Sequence, residues 1–246
     1  MQHTRTEDLI IIDIETAPVS PSFEALNEEW QALWEEKTRY SLPEDLTPAA
    51  FYPKRAGVMA EFARVVCISM SYFMKDPHLK LRVKSFYGFD EKEILRQFIL
   101  TMNKIETHNK KWCFAGHNIK EFDIPFICRR LLINHLPIPS YLDFQNMKPW
   151  ETNMVDTFQY WRFGDYKNYT SLKLLAAALG VPSPKDDIDG SMVGELFWTG
   201  TEAERSDSLK RIARYCQKDV VATANIFLRF KNLPLLKEED VEIVEG

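Results

Sequence analysis

Three short segments of the chain concentrate side chains that can bind cations or handle protons. In Leu9-Ile10-Ile11-Ile12-Asp13-Ile14-Glu15-Thr16, a nearly continuous apolar run ends in two carboxylates. The two-residue period of a strand puts Asp13 and Glu15 on one face, about 7 Å apart between Cα atoms. Like charges that close raise each other's pKa unless a cation lies between them, and oxygen donors suit a hard divalent ion. A strand that leaves the core with its acids turned to water would carry the same pattern. The second segment is Phe114-Ala115-Gly116-His117-Asn118, followed by Phe122-Asp123-Ile124-Pro125. It reads as a strand end, a glycine turn and a helix start, where Asp123 can be a cation ligand or an ordinary N-cap. His117 reads as a structural turn residue rather than a general base. In the third segment, Tyr215 and Asp219 stand four residues apart and so share one face of a helix.

Elements able to position these groups are visible in the apolar patterning. Asp8 to Ile14, Arg64 to Phe73, Leu79 to Tyr87 and Lys111 to Ala115 have strand length and composition, and a short strand is expected around Asn153 to Asp156. Asp90 with Glu93 forms a capping box ahead of the stripe Ile94, Leu95, Phe98, Ile99 and Met102. Further helices are expected from Asp123, from Leu172 to Leu179 after Thr170 or Ser171, and from about Ser208 to Phe230. Neighbouring strands first and alternating helices later predict an α/β domain with a mixed sheet. The stretch 17–61 is too long for an ordinary loop. Its residues Phe23, Leu26, Trp30, Leu33 and Trp34 fall at helical spacing, so it reads as a helical insertion packed on the domain, with a lid or substrate guide as the alternative. The acidic tail 237–246 is expected to fray.

Composition narrows the classes. A chain of 246 residues with 45% apolar and 27% charged residues can bury one full core, which excludes disorder. No apolar run is long enough to span a bilayer, and the start Met1-Gln2-His3-Thr4-Arg5 shows no secretory signal, so a cytoplasmic location and no membrane partner are expected. Cys67, Cys113, Cys128 and Cys216 form no Cys-x-x-Cys pair and read as reduced core residues. The net charge of −5 argues against a partner bound through its phosphates, unless a cluster of carboxylates neutralised by cations skews the total.

Taken together, Asp13, Glu15, Tyr215 and Asp219, with Asp123, resemble the three signatures of the DnaQ-like 3′-to-5′ exonuclease superfamily. Arg214 stands where the histidine form would need His, so the likeness is to the tyrosine (DEDDy) subgroup. Ser171-Leu172-Lys173-Leu174-Leu175, Pro184 to Ser191 and Tyr215-Cys216-Gln217-Lys218-Asp219 are similar to bacterial predicted exonucleases related to the proofreading domain of family B DNA polymerases. The resemblance covers nearly the whole chain. It implies a single ribonuclease H-like domain over 1–246, with a five-stranded mixed sheet and a helical insertion after the first strand. It further implies two divalent cations, Mg²⁺ or Mn²⁺, held by Asp13, Glu15, Asp123 and Asp219 about 4 Å apart, one activating water and the other stabilising the leaving 3′ oxygen. Tyr215, with an ordinary pKa near 10, would orient the attacking water rather than act as base. Those four carboxylates account for most of the negative balance, so acidity no longer excludes nucleic acid. Thr16, through its backbone, and Asn118 are implied substrate contacts, each with an equal claim to be a plain turn residue. Asp156 matches none of the signatures and reads as structural.

The function so implied is metal-dependent removal of nucleotides from 3′ ends of single-stranded nucleic acid, DNA ahead of RNA. Free-standing trimming or repair is expected, with a repair or replication partner. Two other readings stay open. One is a phosphohydrolase with Asp13 as nucleophile, Glu15 as acid and Lys185-Asp186-Asp187 as the remaining charged set; it leaves Tyr215 and Asp219 idle. The other is a non-catalytic nucleic-acid-binding module on a nuclease scaffold.

Overall fold

A computed structural model describes residues 4–75, 78–106, 112–145, 147–148, 151–182 and 188–244. Among these, six strands form one mixed sheet in the order β5-β4-β1-β2-β3-β6. β1 (Leu9–Pro18) pairs antiparallel with β2 (Ala63–Lys75), which pairs antiparallel with β3 (Leu79–Tyr87). On its other side β1 runs parallel to β4 (Cys113–Gly116), which runs parallel to β5 (Met154–Asp156). The antiparallel meander followed by helix-linked parallel strands is therefore as the patterning predicts.

The sixth strand corrects two expectations at once. The tail does not fray at 241–244: β6 (Val241–Val244) adds to β3 in parallel, so the sheet has six strands rather than five. Glu242, one of the acids that made the tail look soluble, accepts two hydrogen bonds from Arg82 on β3 at 3.0 and 3.1 Å.

β1 is buried on both faces, which explains its unbroken apolar run. Ile10, Ile12 and Ile14 pack with α3 (Glu91–Glu106) and α4 (Asp123–Ile133). Leu9 and Ile11 face α8 (Glu202–Phe230), through Val220, Ala224 and Phe227. By the strand's period, Asp13 and Glu15 continue the face that α8 covers. That helix starts earlier than its apolar stripe suggests, because Thr201 and Glu204 close a capping box around a charged first turn. α5 (Thr157–Arg162) follows β5, α6 (Leu172–Ala178) packs on α8, and α7 (Val193–Trp198) packs on α8 and the end of β1.

Since β1 runs on through Pro18, the insertion begins later than 17. It carries α1 (Glu28–Thr38), capped by Asn27, and α2 (Pro48–Arg55), capped by Thr47. Trp34 is fully buried against Phe51, Tyr52 and Phe62, and its indole donates to the Pro48 carbonyl at 2.9 Å. The aromatic stripe is only partly core: Trp30 and Leu33 remain over a third exposed. Burying Trp34 and Tyr52 gives the insertion its own small core, each large side chain contributing roughly 1.5–3 kcal/mol.

A buried ion pair ties the end of the insertion to the helices. Glu91 accepts from the Val65 amide at 2.7 Å and from Arg130 Nε at 2.8 Å, while Arg130 Nη1 donates to the Ala60 carbonyl at 2.9 Å. Among the described residues, no helix is long and apolar enough to cross a membrane.

Candidate metal centre

The sheet order reverses direction between β1 and β4, the place where open α/β sheets form a crevice at the carboxyl ends of their strands. Asp13 and Glu15 lie at that end of β1, Asp123 follows β4, and Asp156 closes β5. β4 pairs with β1 only as far as Ile11, so the amide of Ile14 has no strand partner on that side. Asp123 supplies one: its Oδ1 accepts from Ile14 N–H at 3.1 Å. The residue thus lies inside the first turn of α4, with Phe122 at the cap position, and its carboxylate is bound to β1. Asp123 is therefore not simply an N-cap.

Gly116 makes this approach possible. A Cβ there would lie 2.6 Å from Ile119 Cβ and 3.0 Å from the Ile12 carbonyl oxygen, so the need for glycine is close packing of the loop on β1. The left-handed turn itself falls to Asn118, at φ 65°. Asp156 organises the same loop, accepting from the amides of Asn118 and Lys120 at 3.0 and 3.2 Å while capping α5 through Phe158 and Gln159. It is structural, as expected. So is His117, whose ring bridges Thr157 Oγ1 and the Thr170 carbonyl.

From the opposite face of the sheet α8 delivers Tyr215, Cys216 and Asp219. Ligand atoms of Asp13, Glu15 and Cys216 all lie within 4.8 Å of one another. Cys216 Sγ donates to Asp13 Oδ2 at 3.2 Å and to the Asp13 carbonyl at 3.3 Å. The phenol of Tyr215 donates to Asp219. Burial first, then the negative charges of Asp219, Glu15 and Asp123, push the Asp13 carboxyl well above the usual carboxylate range. Glu15 is raised by burial and by Asp219, with Cys67 and Asp123 adding to it. Asp123 is pushed up to about 7, by burial against the opposing pull of its amide donors, with Asp156 and Asp219 raising it further. Burial and the three carboxylates around it also hold Tyr215 protonated far beyond neutral pH.

Asp13, Glu15, Asp123 and Asp219 therefore lie within electrostatic reach of one another. Among the described residues, no lysine or arginine forms an ion pair with Asp13, Glu15 or Asp123. Carboxylates that repel one another in this way could hold a hard divalent ion. The thiol of Cys216, its pKa raised by burial, stands beside Asp13 as a hydrogen-bond donor.

The other expected contacts fare differently. Thr16 Oγ1 donates to the Gly57 carbonyl at 2.5 Å, so its side chain anchors the insertion. The register of β1 against β2 shifts between Glu15 and Thr16, a bulge that re-aims the strand just after the acidic pair. Asn118 Oδ1 is buried without a partner among the described residues. Lys185, Asp186 and Asp187 lie outside the described residues. Cys216 is the functional-site residue that its sequence context concealed. Its signal was position: three residues before Asp219 on the same helix, it shares that residue's face.

A family profile described as "Predicted 3'-5' exonuclease related to the exonuclease domain of PolB" matches residues 58–241. The match takes in Asp123, Tyr215 and Asp219 and begins after β1, so Asp13 and Glu15 join the site on geometry. No curated protein matches the chain. Among solved structures, the family B DNA polymerase of the hyperthermophilic archaeon Pyrobaculum calidifontis aligns with a TM-score of 0.49 and 19% identity, over 91% of this chain. The chain spans 24% of that polymerase's length.

Proposed function

The chain belongs to the family of predicted 3'-5' exonucleases related to the exonuclease domain of PolB, and from that premise we propose that it hydrolyses phosphodiester bonds at the 3′ end of single-stranded nucleic acid, with DNA preferred over RNA. What supports the reading is one observation: carboxylates from a strand end and two helices on opposite faces of the sheet, Glu15 and Asp123 buried and Asp13 and Asp219 half-buried, gather in one mutually repelling group. In this proposal Asp13, Glu15, Asp123 and Asp219 hold two divalent cations, Mg²⁺ or Mn²⁺. Bound there, such ions supply the Lewis acidity that makes water a nucleophile and stabilises the departing 3′ oxygen.

The remaining work falls to the chain's own groups. Cys216 fixes one oxygen of Asp13, and the Ile14 amide fixes one oxygen of Asp123, so each carboxylate presents its other oxygen in a set direction. Tyr215 stays protonated and donates to Asp219, which suits a role in orientation and not in proton abstraction. Thr16, through its backbone, and Asn118 complete the proposal as contacts to the terminal nucleotide.

The test is direct. Incubated with 3′-overhang oligonucleotides and Mg²⁺ or Mn²⁺, the protein should shorten the single strand stepwise, and Asp13→Asn should abolish the ladder. Intact substrate with the parent protein, or an undiminished ladder with Asp13→Asn, would overturn the proposal.

A further inference from the structure

The segment joining α5 to α6 holds a concentration of aromatic surface that the carboxylate site does not use. Phe163, Tyr166 and Tyr169 are 82%, 79% and 66% exposed, and Tyr160 stands beside Phe163 with ring centroids 5.9 Å apart. Water-facing rings this dense are costly to leave uncovered, and such a patch marks a binding surface. Phe163 also adopts φ 43°, a left-handed conformation that an aromatic residue rarely takes, and its ring is turned outward.

The patch is built around a cation. The guanidinium of Arg162 lies 4.1 Å over the ring of Phe158 and 5.6 Å over Tyr166. Its Nη1 reaches Glu121 at 3.4 Å, while its Nε is buried with no acceptor among the described residues. Phe158 also contacts Tyr169, centroids 5.0 Å apart, so the buried ring joins the exposed ones into one cluster. The cluster is fastened to the carboxylate site: Asp156 caps α5 and holds the Asn118 loop through the same carboxylate. Burial, and after it the charges of nearby Asp123 and Asp156, oppose ionisation of the Tyr169 phenol.

Exposed rings backed by a cationic side chain are the chemistry by which proteins stack unpaired bases without reading their sequence. We propose that Tyr166 and Tyr169, with Arg162 between Tyr166 and Phe158, form a stacking platform for the unpaired nucleotides that precede the 3′ terminus held at Asp123. The proposal rests on the nuclease reading of the site and adds to it the route by which the strand arrives. Because every base has a π face, the platform tolerates any sequence and requires the strand to be unpaired. Positioning comes from the rings, not from the phenolic hydroxyls.

The probe is a short single-stranded DNA carrying 2-aminopurine beside its 3′ terminus, mixed with the full-length protein in Ca²⁺ to slow turnover. Stacking should quench the fluorescence. Tyr166→Ala and Tyr169→Ala should each weaken binding, on the order of 5- to 100-fold per lost stacked base, and reduce the quench. Tyr166→Phe and Tyr169→Phe should retain both. Quenching and affinity unchanged in the alanine variants would overturn the platform, and so would phenylalanine variants as impaired as the alanine ones. Shortening of the same oligonucleotide in Mg²⁺ is scored separately. Quenching without shortening would keep the platform and sink the nuclease reading; shortening without quenching would do the reverse.

Discussion

Removing divalent cations should make this protein progressively less stable as pH rises from about 5 to 8, the reverse of ordinary acid denaturation. The reason is Asp123. In the unfolded chain it loses its proton near 3.8, whereas in the cation-free fold it keeps it to about 7. Between those values the folded state binds the extra proton, so its stabilisation is complete below the unfolded pKa and is lost as pH climbs through the folded one. At 1.36 kcal/mol per unit the whole difference amounts to about 4 kcal/mol, of which about 3 kcal/mol is lost between pH 5 and 8. For a chain of this size that corresponds to a Tm lower by about 6–12 °C. Asp13 and Glu15 are shifted in the same direction and add to the effect. His117 works against it, since burial holds its pKa below the ordinary value and its contribution is lost as pH falls. Comparing the parent with Asp123→Asn isolates the carboxylate from the histidine. In a chelating buffer the parent's Tm should fall from pH 5 to pH 8 more steeply than that of Asp123→Asn. Adding Mg²⁺ or Mn²⁺ should restore most of the loss at pH 8 and change little at pH 5. Parallel pH profiles for the two proteins, or equal stabilisation by the cation at both pH values, would refute the claim that Asp123 is held among like charges with no cationic side chain to answer it.

Other consequences follow from single groups. Tyr215→Phe removes a hydrogen bond to a charged acceptor, worth about 1.5–3 kcal/mol, and should lower kcat for oligonucleotide shortening about ten- to hundredfold with little change in KM. Glu91→Gln leaves the buried Arg130 uncompensated and should cost about 3–5 kcal/mol in urea denaturation, while leaving the carboxylate cluster in place. Gly116→Ala forces a methyl against Ile119 and the Ile12 carbonyl, so a loss of about 1–3 kcal/mol is expected, together with weaker Mn²⁺ binding by calorimetry as Asp123 is levered from Ile14.

The carboxylate cluster could be read largely from the sequence because each part has a strong local signal. An apolar strand ending in Asp13 and Glu15, and a helical Tyr215 four residues before Asp219, fix side-chain directions by backbone period alone. What escaped depends on long-range pairing. Whether Asp123 caps its own helix or reaches β1 turns on where β4 stops pairing, which no local pattern contains. The strand at Val241–Val244 was hidden by its acidic surroundings, because the partner that answers Glu242 is Arg82, far away in the chain. The insertion misled differently. Phe23 to Trp34 keeps helical spacing throughout, yet the helix begins only at Glu28, so Phe23 and Leu26 reach the small core from the turn before it, while Trp30, one helical turn from Trp34, meets Phe62 from the rim. Cys216 reads as a plain reduced core cysteine in the sequence; only the crossing of α8 over β1 sets its thiol against Asp13.

The sixth strand bears on how the protein can be shortened. The family match stops at residue 241, where this strand begins. A chain trimmed to that boundary would strip β3 of its neighbour and leave a long row of unanswered amides and carbonyls along Leu81–Lys84. Naked sheet borders of that kind recruit strands from other molecules. The truncated protein would clump while the intact one stays dispersed, and the last few residues would then count as a shield against self-association.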